Sequence, residues 1–135
     1  MAVRKQMNYS IFEQGDVVVA RLLFSEQVGS KRRPALVISS SMYNQESSDI
    51  ILLKITSTNR PHPFDVQLNA MDLADGKLKK ESQIMVDNPQ TAYKGIIENK
   101  IARINPAKLL EIKEKMKELY EIQSQGGEKD GSING

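Results

Sequence analysis

An arginine that directly precedes a predicted buried strand is the first candidate for chemistry in this chain. Lys31, Arg32 and Arg33 form a run of three cations, and Pro34 follows them. Proline lacks the N–H that a sheet ladder needs, so we interpret Pro34 as the first residue of an apolar strand over residues 35–38. That strand would hold Arg33 where the chain leaves the core. On this stretch alone, a solvated basic loop beside a core strand is the simpler interpretation.

Two hydroxyl side chains, those of Thr56 and Ser57, follow the most apolar predicted strand, residues 50–55. If this strand pairs antiparallel with the one before it, the start of one strand lies beside the end of the other. Arg33 would then lie next to both hydroxyls at one rim of the sheet. An arginine can bind a phosphate through two parallel hydrogen bonds, and a hydroxyl can donate another. An arginine beside two hydroxyls can either take part in cleaving a phosphoester or only bind an anion. The spacing of the residues does not decide between these two functions.

Five or six short strands are predicted to position these side chains. They cover residues 17–24, 35–38, 50–55, 64–68, 82–87 and, as the sixth, 100–104. Alternating apolar and polar residues predict that the 64–68 strand is half exposed. We expect the 82–87 strand to stop at Asn88 and Pro89, and we interpret Asp75 with Gly76 as a turn.

The C-terminal part predicts one amphipathic helix. Asn105 is a favourable N-cap, and Pro106 suits the first helical position, where its missing N–H costs nothing. One apolar stripe at helical spacing consists of Leu109, Ile112, Met116 and Leu119. We expect Gly126 and Gly127 to end the helix. The prediction is therefore one domain over residues 1–125 and a disordered tail over 126–135.

Composition excludes several classes of site. The 135 residues include 19 Lys and Arg against 17 Asp and Glu, so the net charge is only +2 and any nucleic-acid site must be a local patch. The absence of cysteine excludes disulfides, thiolate metal sites and cysteine nucleophiles. The single histidine, His62, excludes a multi-histidine metal site, and we assign this loop residue no role. No apolar run is long enough for a membrane span and no secretory signal is visible, so we expect a cytoplasmic protein.

A series of short motifs resembles the MazF/PemK family, the toxins of type II toxin–antitoxin systems. The series contains Gly15-Asp16 before valines, Arg33-Pro34 before an apolar strand, and Ile55-Thr56-Ser57. The similarity continues through Asn44, residues 64–68, Leu78 with Ser82, and residues 87–91, and it reaches about residue 123. Each motif alone has little specificity, whereas the order and distances of the whole series are fairly specific.

The resemblance implies a mostly β, SH3-like small barrel with a C-terminal α-helix, assembled as a homodimer. It also implies a metal-independent, sequence-specific endoribonuclease that cleaves single-stranded mRNA and needs no cofactor. Arg33 and Thr56 match the family's catalytic arginine and threonine, and the ribose 2′-OH would attack the adjacent phosphate. The residues expected to bind RNA are Lys31, Arg32, Ser57, Asp87 and Gln90. The implied partners are the RNA and a small acidic antitoxin, and operator DNA bound through the antitoxin complex is a further partner that this class allows.

Three stretches depart from the family pattern. One branch of the family has an additional catalytic arginine where this chain has Met85. The family usually has another arginine before a Thr-Ile-Asp triplet, and this chain has Gln90 at that position. The triplet itself reads Thr91-Ala92-Tyr93, and the tryptophan common in the family's first strand is missing. These departures concern the RNA groove and leave Arg33 and Thr56 intact. A second hypothesis therefore stays open: a non-catalytic module of this fold that binds nucleic acid or a protein target such as DNA gyrase.

Overall fold

Seven strands and two α-helices make up the part of the chain that the computed structural model describes, residues 12–22 and 31–123. The strands are β1 (Asp16–Leu22), β2 (Lys31–Val37), β3 (Asp49–Thr56), β4 (Asp65–Leu68), β5 (Leu73–Gly76), β6 (Ser82–Tyr93) and β7 (Ile97–Ile104). The helices are α1 (Ser41–Glu46) and α2 (Pro106–Tyr120), and short 3-10 turns cover Ala70–Asp72 and Lys94–Ile96. The tail predicted over residues 126–135 lies outside the described residues.

All seven strands belong to one antiparallel sheet with the order β4-β6-β3-β2-β1-β7-β5. The sheet curls into a half-barrel, and α2 follows its last strand in the chain. The predicted fold class, a mostly β, SH3-like small barrel with a C-terminal helix, is confirmed. Within residues 12–22 and 31–123, no helix has the length and apolarity that a membrane crossing requires.

Apolar side chains form one cluster on each face of the curled sheet. On the first face, here called the helix face, Ile112 of α2 is fully buried, and the other residues of the predicted stripe pack against the same cluster. The second face is called the distal face. Its buried members are Val18, Ala20, Leu22, Ala35, Val37, Ile50, Leu52 and Ala92. Because alternate residues of a strand point to opposite faces, the position of a residue in its strand decides which face it joins.

The basic triplet belongs to a strand. β2 begins at Lys31, and Pro34 lies inside it, opposite Val19 of β1. The prediction that Pro34 opens the strand is therefore wrong. Proline is tolerated at this place because the ladder between β2 and β3 begins only at Ala35, so Pro34 needs no N–H toward β3. The first strand was predicted to reach residue 24, but β1 is described only to Leu22, and residues 23–30 are not described.

β6 continues through Asn88 and Pro89, where the sequence predicted its end. Two features explain why a proline is accepted there. β4 pairs with β6 only between residues 82 and 85, so Pro89 lies beyond that ladder. The ladder with β3 also shifts register between the Leu53–Pro89 pair and the Ile55–Ile84 pair, so residues 85–88 form an irregular segment, here called the β6 bulge.

The predicted turn at Asp75 and Gly76 is instead the end of β5, which pairs with β7. Gly76 has a φ of +83°, and a Cβ there would collide with the backbone at Ile101 and Ala102. Glycine therefore permits both the left-handed conformation and the close approach of β7. The sequence indicates the turn chemistry of Gly76, whereas the pairing of β5 with β7 follows only from the fold.

α2 begins as predicted and ends earlier. The Asn105 side chain accepts a hydrogen bond of 2.8 Å from the Lys108 N–H, and Pro106 is the first helical residue. The helix stops at Tyr120 because Glu121 adopts a left-handed conformation (φ 57°) and its N–H bonds back to the Glu118 carbonyl. The predicted end at Gly126 is therefore wrong, since a glutamate takes the place expected of a glycine.

Burial of α2 against the helix face should account for a large part of its contribution to stability. Ile112 is fully buried, whereas Leu110 is 58% exposed on the same helix. We expect Ile112→Ala to lower the free energy of unfolding by about 2–4 kcal/mol, because it removes buried methylene groups and leaves a cavity. Leu110→Ala, the matched control, should change it by less than about 0.5 kcal/mol. Urea unfolding followed by circular dichroism measures both, and equal losses would contradict this packing.

Candidate active site

The ladder between β2 and β3 ends two residues short of Arg33 and Thr56. The recorded pairs are Ala35 with Lys54 and the two pairs that follow toward the other end of the ladder. Continuing this antiparallel register two residues beyond Ala35 places Arg33 across from Thr56. The hypothesis that the start of one strand lies beside the end of the next thus has the required strand geometry. Arg33 also has an interaction of its own in the folded chain, as has Lys54.

Both side chains lie on the distal face. Arg33 is two residues from Ala35, and Thr56 is an even number of residues from Leu52; Ala35 and Leu52 are members of the distal cluster. Arg33 and Thr56 are half-buried. The strands therefore fix the backbone end of each side chain, while solvent reaches its polar end. Lys31 continues the row beyond Arg33 and is exposed. A phosphate placed over this rim of the sheet can be approached by the Arg33 guanidinium and the Thr56 hydroxyl together.

Arg32 is directed to the opposite side. As the residue between Lys31 and Arg33, it alternates to the other face of β2. Its Nε donates a hydrogen bond of 2.5 Å to Glu98 of β7, and Arg21 of β1 lies 3.7 Å from the same carboxylate. Of the three cations in the triplet, the structure thus groups Lys31 and Arg33 and separates Arg32 from them.

Thr56 has Gln83 of β6 as its ladder partner on the side away from β2. An open pocket of about 260 Å³ lies at this end of the two strands. Ser57, predicted to bind RNA, lines it. The full lining is Ser57, Thr58, Asn59, Gln67, Glu81, Ser82 and Gln83. Hydroxyl, amide and carboxylate groups of this kind can hydrogen-bond to a sugar or to the edge of a base.

The loop after Thr56 is held by a polar network that sequence reasoning missed. Arg60 donates to both oxygens of Asp65, at 2.6 and 2.7 Å, and the Asp65 side chain is only 2% exposed. Gln83 donates to Asp65 at 2.7 Å and to the Arg60 carbonyl at 3.0 Å, while its own Oε1 accepts from the Arg60 N–H. The hydrogen bond to Asp65 raises the pKa of Arg60, so the guanidinium stays charged.

His62 is better connected than a surface histidine. Its Nδ1 accepts a hydrogen bond of 3.1 Å from the Phe64 N–H, which places the proton of the neutral ring on Nε2. Nε2 lies 3.4 Å from an oxygen of Asp87, and Nδ1 lies 3.5 Å from Asp65. The sequence offered no signal for these contacts, because Asp87 is distant in the chain and reaches His62 only through the pairing of β4 with β6.

Ligand atoms of His62, Asp65 and Asp87 lie within 4.8 Å of one another, which invites comparison with a metal site. However, the Asp65 carboxylate already accepts three hydrogen bonds, two of them from the Arg60 guanidinium. A cation bound there would lie close to this fixed positive charge. The donor set therefore fits a hydrogen-bonded network better than a divalent metal ion.

Lys54 is the second feature that sequence reasoning missed. It lies on the distal face between Leu52 and Thr56, and only 8% of its surface is exposed. Burial lowers the pKa of its ammonium group below the usual value of 10.5. Within the apolar run of β3, a single lysine interrupts the hydrophobic pattern, and the sequence alone gives no sign that it is buried.

Two of the departures from the family pattern, Met85 and Gln90, lie farther along β6. Met85 is buried in the β6 bulge, with 8% of its surface exposed. Gln90 pairs with Leu52 and is half-buried on the distal face. Since Leu52 and Thr56 are four residues apart in β3, Gln90 lies about 13 Å from Thr56 along the strand. Gln90 and the Arg33–Thr56 pair thus lie at separate points along the sheet.

Comparison with protein families gave a match over residues 13–120 to the model of the PemK-like, MazF-like toxins of type II toxin–antitoxin systems. The chain belongs to the PemK/MazF toxin family. The resemblance that the sequence motifs indicated is thereby confirmed. Comparison with curated protein sequences gave no match.

Solved structures share the fold of this PemK/MazF family member. A chain of the MazE–MazF crystal structure (Form III) from Deinococcus radiodurans has a TM-score of 0.68 at 24% identity, covering 84% of this chain and 99% of the other. An endoribonuclease from Mycobacterial species has a TM-score of 0.67 at 18% identity, covering 84% and 95%. Mycobacterium tuberculosis toxin MazF-mt6 has a TM-score of 0.66 at 18% identity, covering 81% and 99%. These likenesses concern the fold of the whole chain, within which Asp65, Arg60 and Gln83 form their network.

In this family member, the polar network should fix the loop that follows Thr56. We expect Asp65→Asn to lower the free energy of unfolding by about 1–3 kcal/mol, because the neutral amide cannot accept both Arg60 hydrogen bonds and the one from Gln83. Asp75→Asn, at an exposed position of β5, is the matched control and should be nearly neutral. Urea unfolding compares the two. A loss at Asp65 no larger than that at Asp75 would mean that the network does not hold the loop.

Proposed function

We propose that this toxin-family protein is an endoribonuclease that cleaves single-stranded mRNA at specific sequences. The observation that carries the proposal is the register of β2 against β3, which pairs Ala35 with Lys54 and, when continued by two residues, puts Arg33 across from Thr56 at one rim of the sheet. Membership of the toxin family supports it, as does the endoribonuclease activity named for a structural relative. We propose that the protein acts in the cytoplasm, on the mRNA that is translated there.

The proposed reaction begins with attack of the ribose 2′-OH on the adjacent phosphate. Arg33 binds the phosphate through its planar fork and stabilises the charge that builds up on it, and Thr56 orients the same group. The P–O5′ bond then breaks, leaving a 2′,3′-cyclic phosphate and a 5′-OH. No step requires a metal ion or another cofactor. Lys31 and Ser57 flank the pair and would hold the neighbouring nucleotides, with Asp87 and Gln90 farther along the strand.

Arg32 enters the proposal differently. Since it faces Glu98 on the other side of β2, it would bind RNA only if the strand wraps around the rim of the sheet. We therefore assign it a smaller effect on RNA binding than Lys31.

Substitution of Arg33 tests the proposed reaction directly. We expect Arg33→Ala to reduce the cleavage rate at least about 100-fold, which is typical for the loss of one preorganised charge stabiliser, and Thr56→Ala to reduce it less. Arg33→Lys should not restore the rate, because an ammonium group cannot hold two phosphate oxygens in a planar fork. Cleavage of a long mixed-sequence RNA in EDTA, followed by end-group analysis, gives both the rate and the products.

The matched control is Arg21→Ala, which removes an exposed arginine from the other face of the neighbouring strand. It should cleave at the wild-type rate. A substrate with 2′-deoxyribose on the 5′ side of the cut should resist cleavage. Wild-type activity in Arg33→Ala, or activity that stops when divalent ions are chelated, would refute the mechanism. A folded wild-type protein that binds RNA without cutting it would favour the alternative function, that of a non-catalytic module. The observation that supports this alternative is the buried, apolar Met85 of β6, which stands where one branch of the family has a catalytic arginine.

We further propose that the protein forms a homodimer and is neutralised by a small acidic antitoxin. A structural relative was solved in complex with its cognate antitoxin, and operator DNA is a further proposed partner of such a complex. Light scattering should give twice the mass of one chain at micromolar concentration. Adding the proposed acidic antitoxin, to be sought in the neighbouring reading frame, should raise the mass further and stop RNA cleavage. A monomer that does not bind it would contradict both proposals.

A further inference from the structure

Lys54 occupies the position next to the Arg33–Thr56 pair. It is two residues from Thr56 in β3 and therefore projects from the same face, and its ladder partner Ala35 is two residues from Arg33. Successive residues on one face of a strand are about 6–7 Å apart, so the four-carbon stem of a lysine can reach a phosphate held by its neighbour. The three side chains thus border one small area of the distal face.

The burial of Lys54 is unusual for a lysine. Lysine is among the residues that are least often buried, because removing an ammonium group from water is costly. Here 8% of the residue is exposed, in a strand whose neighbours Leu52, Leu53 and Ile55 are apolar. A lysine kept at such a position can exchange its proton more readily than an exposed one, because burial lowers its pKa.

The proposed cleavage still lacks a group that moves the proton. Arg33 is a poor base, because a guanidinium group has donors only and does not give up its proton in water. Thr56 is a hydroxyl with no tendency to ionise. A proton must nevertheless leave the 2′-OH, and another must reach the departing 5′-oxygen.

We propose that Lys54 is the proton-transfer residue of the cleavage reaction, acting on a phosphate that Arg33 and Thr56 hold. The inference rests on the proposed function and adds a catalytic role that the sequence motifs do not assign. The neutral amine of Lys54 accepts the 2′-OH proton as the O2′–P bond forms. The resulting ammonium donates a proton to the 5′-oxygen as the P–O5′ bond breaks. The amine is regenerated, and no other reactant is consumed.

Several charged groups face Lys54 from the neighbouring strands. Lys31 and Arg33 project from β2 on the same face, and Asp87 lies in the β6 bulge across from Lys54. Asp65 of β4 lies one strand farther away, where it pairs with Arg60. The pH dependence of the reaction should therefore be assigned by substitution of Lys54 rather than from the shape of one profile.

The test compares Lys54→Met and Lys54→Arg with wild type on an oligoribonucleotide that the wild-type protein cuts, from about pH 6 to 10. Uncatalysed RNA hydrolysis in buffer alone is subtracted at each pH. We expect the wild-type kcat to rise with pH and level off once Lys54 is deprotonated. Lys54→Met should lower kcat at least about 100-fold with little change in KM, the size typical of a lost acid–base group, and should abolish this rise. Lys54→Arg keeps the charge but cannot release its proton, so it should be as inactive.

Lys113→Met, on the exposed side of α2, is the matched control and should behave as wild type. Thermal unfolding should show that the Lys54 variants are folded, and binding of a 2′-deoxy oligonucleotide should be nearly unchanged. Wild-type kcat in Lys54→Met overturns the inference while leaving the proposed function intact. Full activity in Lys54→Arg, or a change in KM alone, also overturns it, because the role would then be that of a fixed charge. If the wild-type protein cuts no RNA, the proposed function fails and this inference fails with it.

Discussion

The antiparallel register between β2 and β3 is the constraint on which the candidate site depends. Both strands are apolar on both faces near their centre, so each places one set of side chains in the helix-face cluster and the other in the distal cluster. A slip of one residue in β2 relative to β3 would exchange these sets and move Arg33 away from Thr56. The two buried clusters therefore fix the position of the polar pair, although neither residue of the pair lies in the core.

Polar contacts also fix the pairing of the strands on either side of β2 and β3. On one side, Asp16 at the start of β1 is fully buried and forms an ion pair with Arg103 of β7, while it also accepts from the Glu13 N–H at 2.8 Å. An unpaired buried carboxylate would be costly, so this contact favours the pairing of β1 with β7. On the other side, Gln83 joins the Thr56 strand to the Arg60–Asp65 pair. Gln83 and the Arg60–Asp65 pair thus support the end of the sheet that carries Thr56, whereas the Asp16–Arg103 pair supports the opposite end of β1. None of these contacts has a role in the proposed chemistry.

The distal face carries the polar groups in an order that suits an extended nucleic-acid strand. Lys31, Arg33 and Thr56 lie at one end, with the pocket beside Ser57, and Gln90 lies farther along β3 and β6. This spread separates the proposed reaction centre from the residues that would select the sequence. Replacement of the family's arginine by Gln90 is therefore expected to alter which RNA is cut more than whether RNA is cut. The β6 bulge, with Met85 and Asp87, lies between these two regions.

The sequence by itself determined the family, the apolar strands and the start of α2, and it put Arg33 and Thr56 at the ends of two successive apolar strands. These follow from local patterns, since a hydrophobic run, an N-cap at Asn105 or a motif series needs only neighbouring residues. The tertiary structure alone decided that Arg32 faces away from Arg33, that β6 continues through Pro89, and that His62 contacts Asp87. It also decided that Lys54 lies buried beside the candidate pair. Each of these depends on which strands become neighbours and in which register, and that is fixed by the burial of the whole sheet, because contacts between distant segments form only when both clusters close.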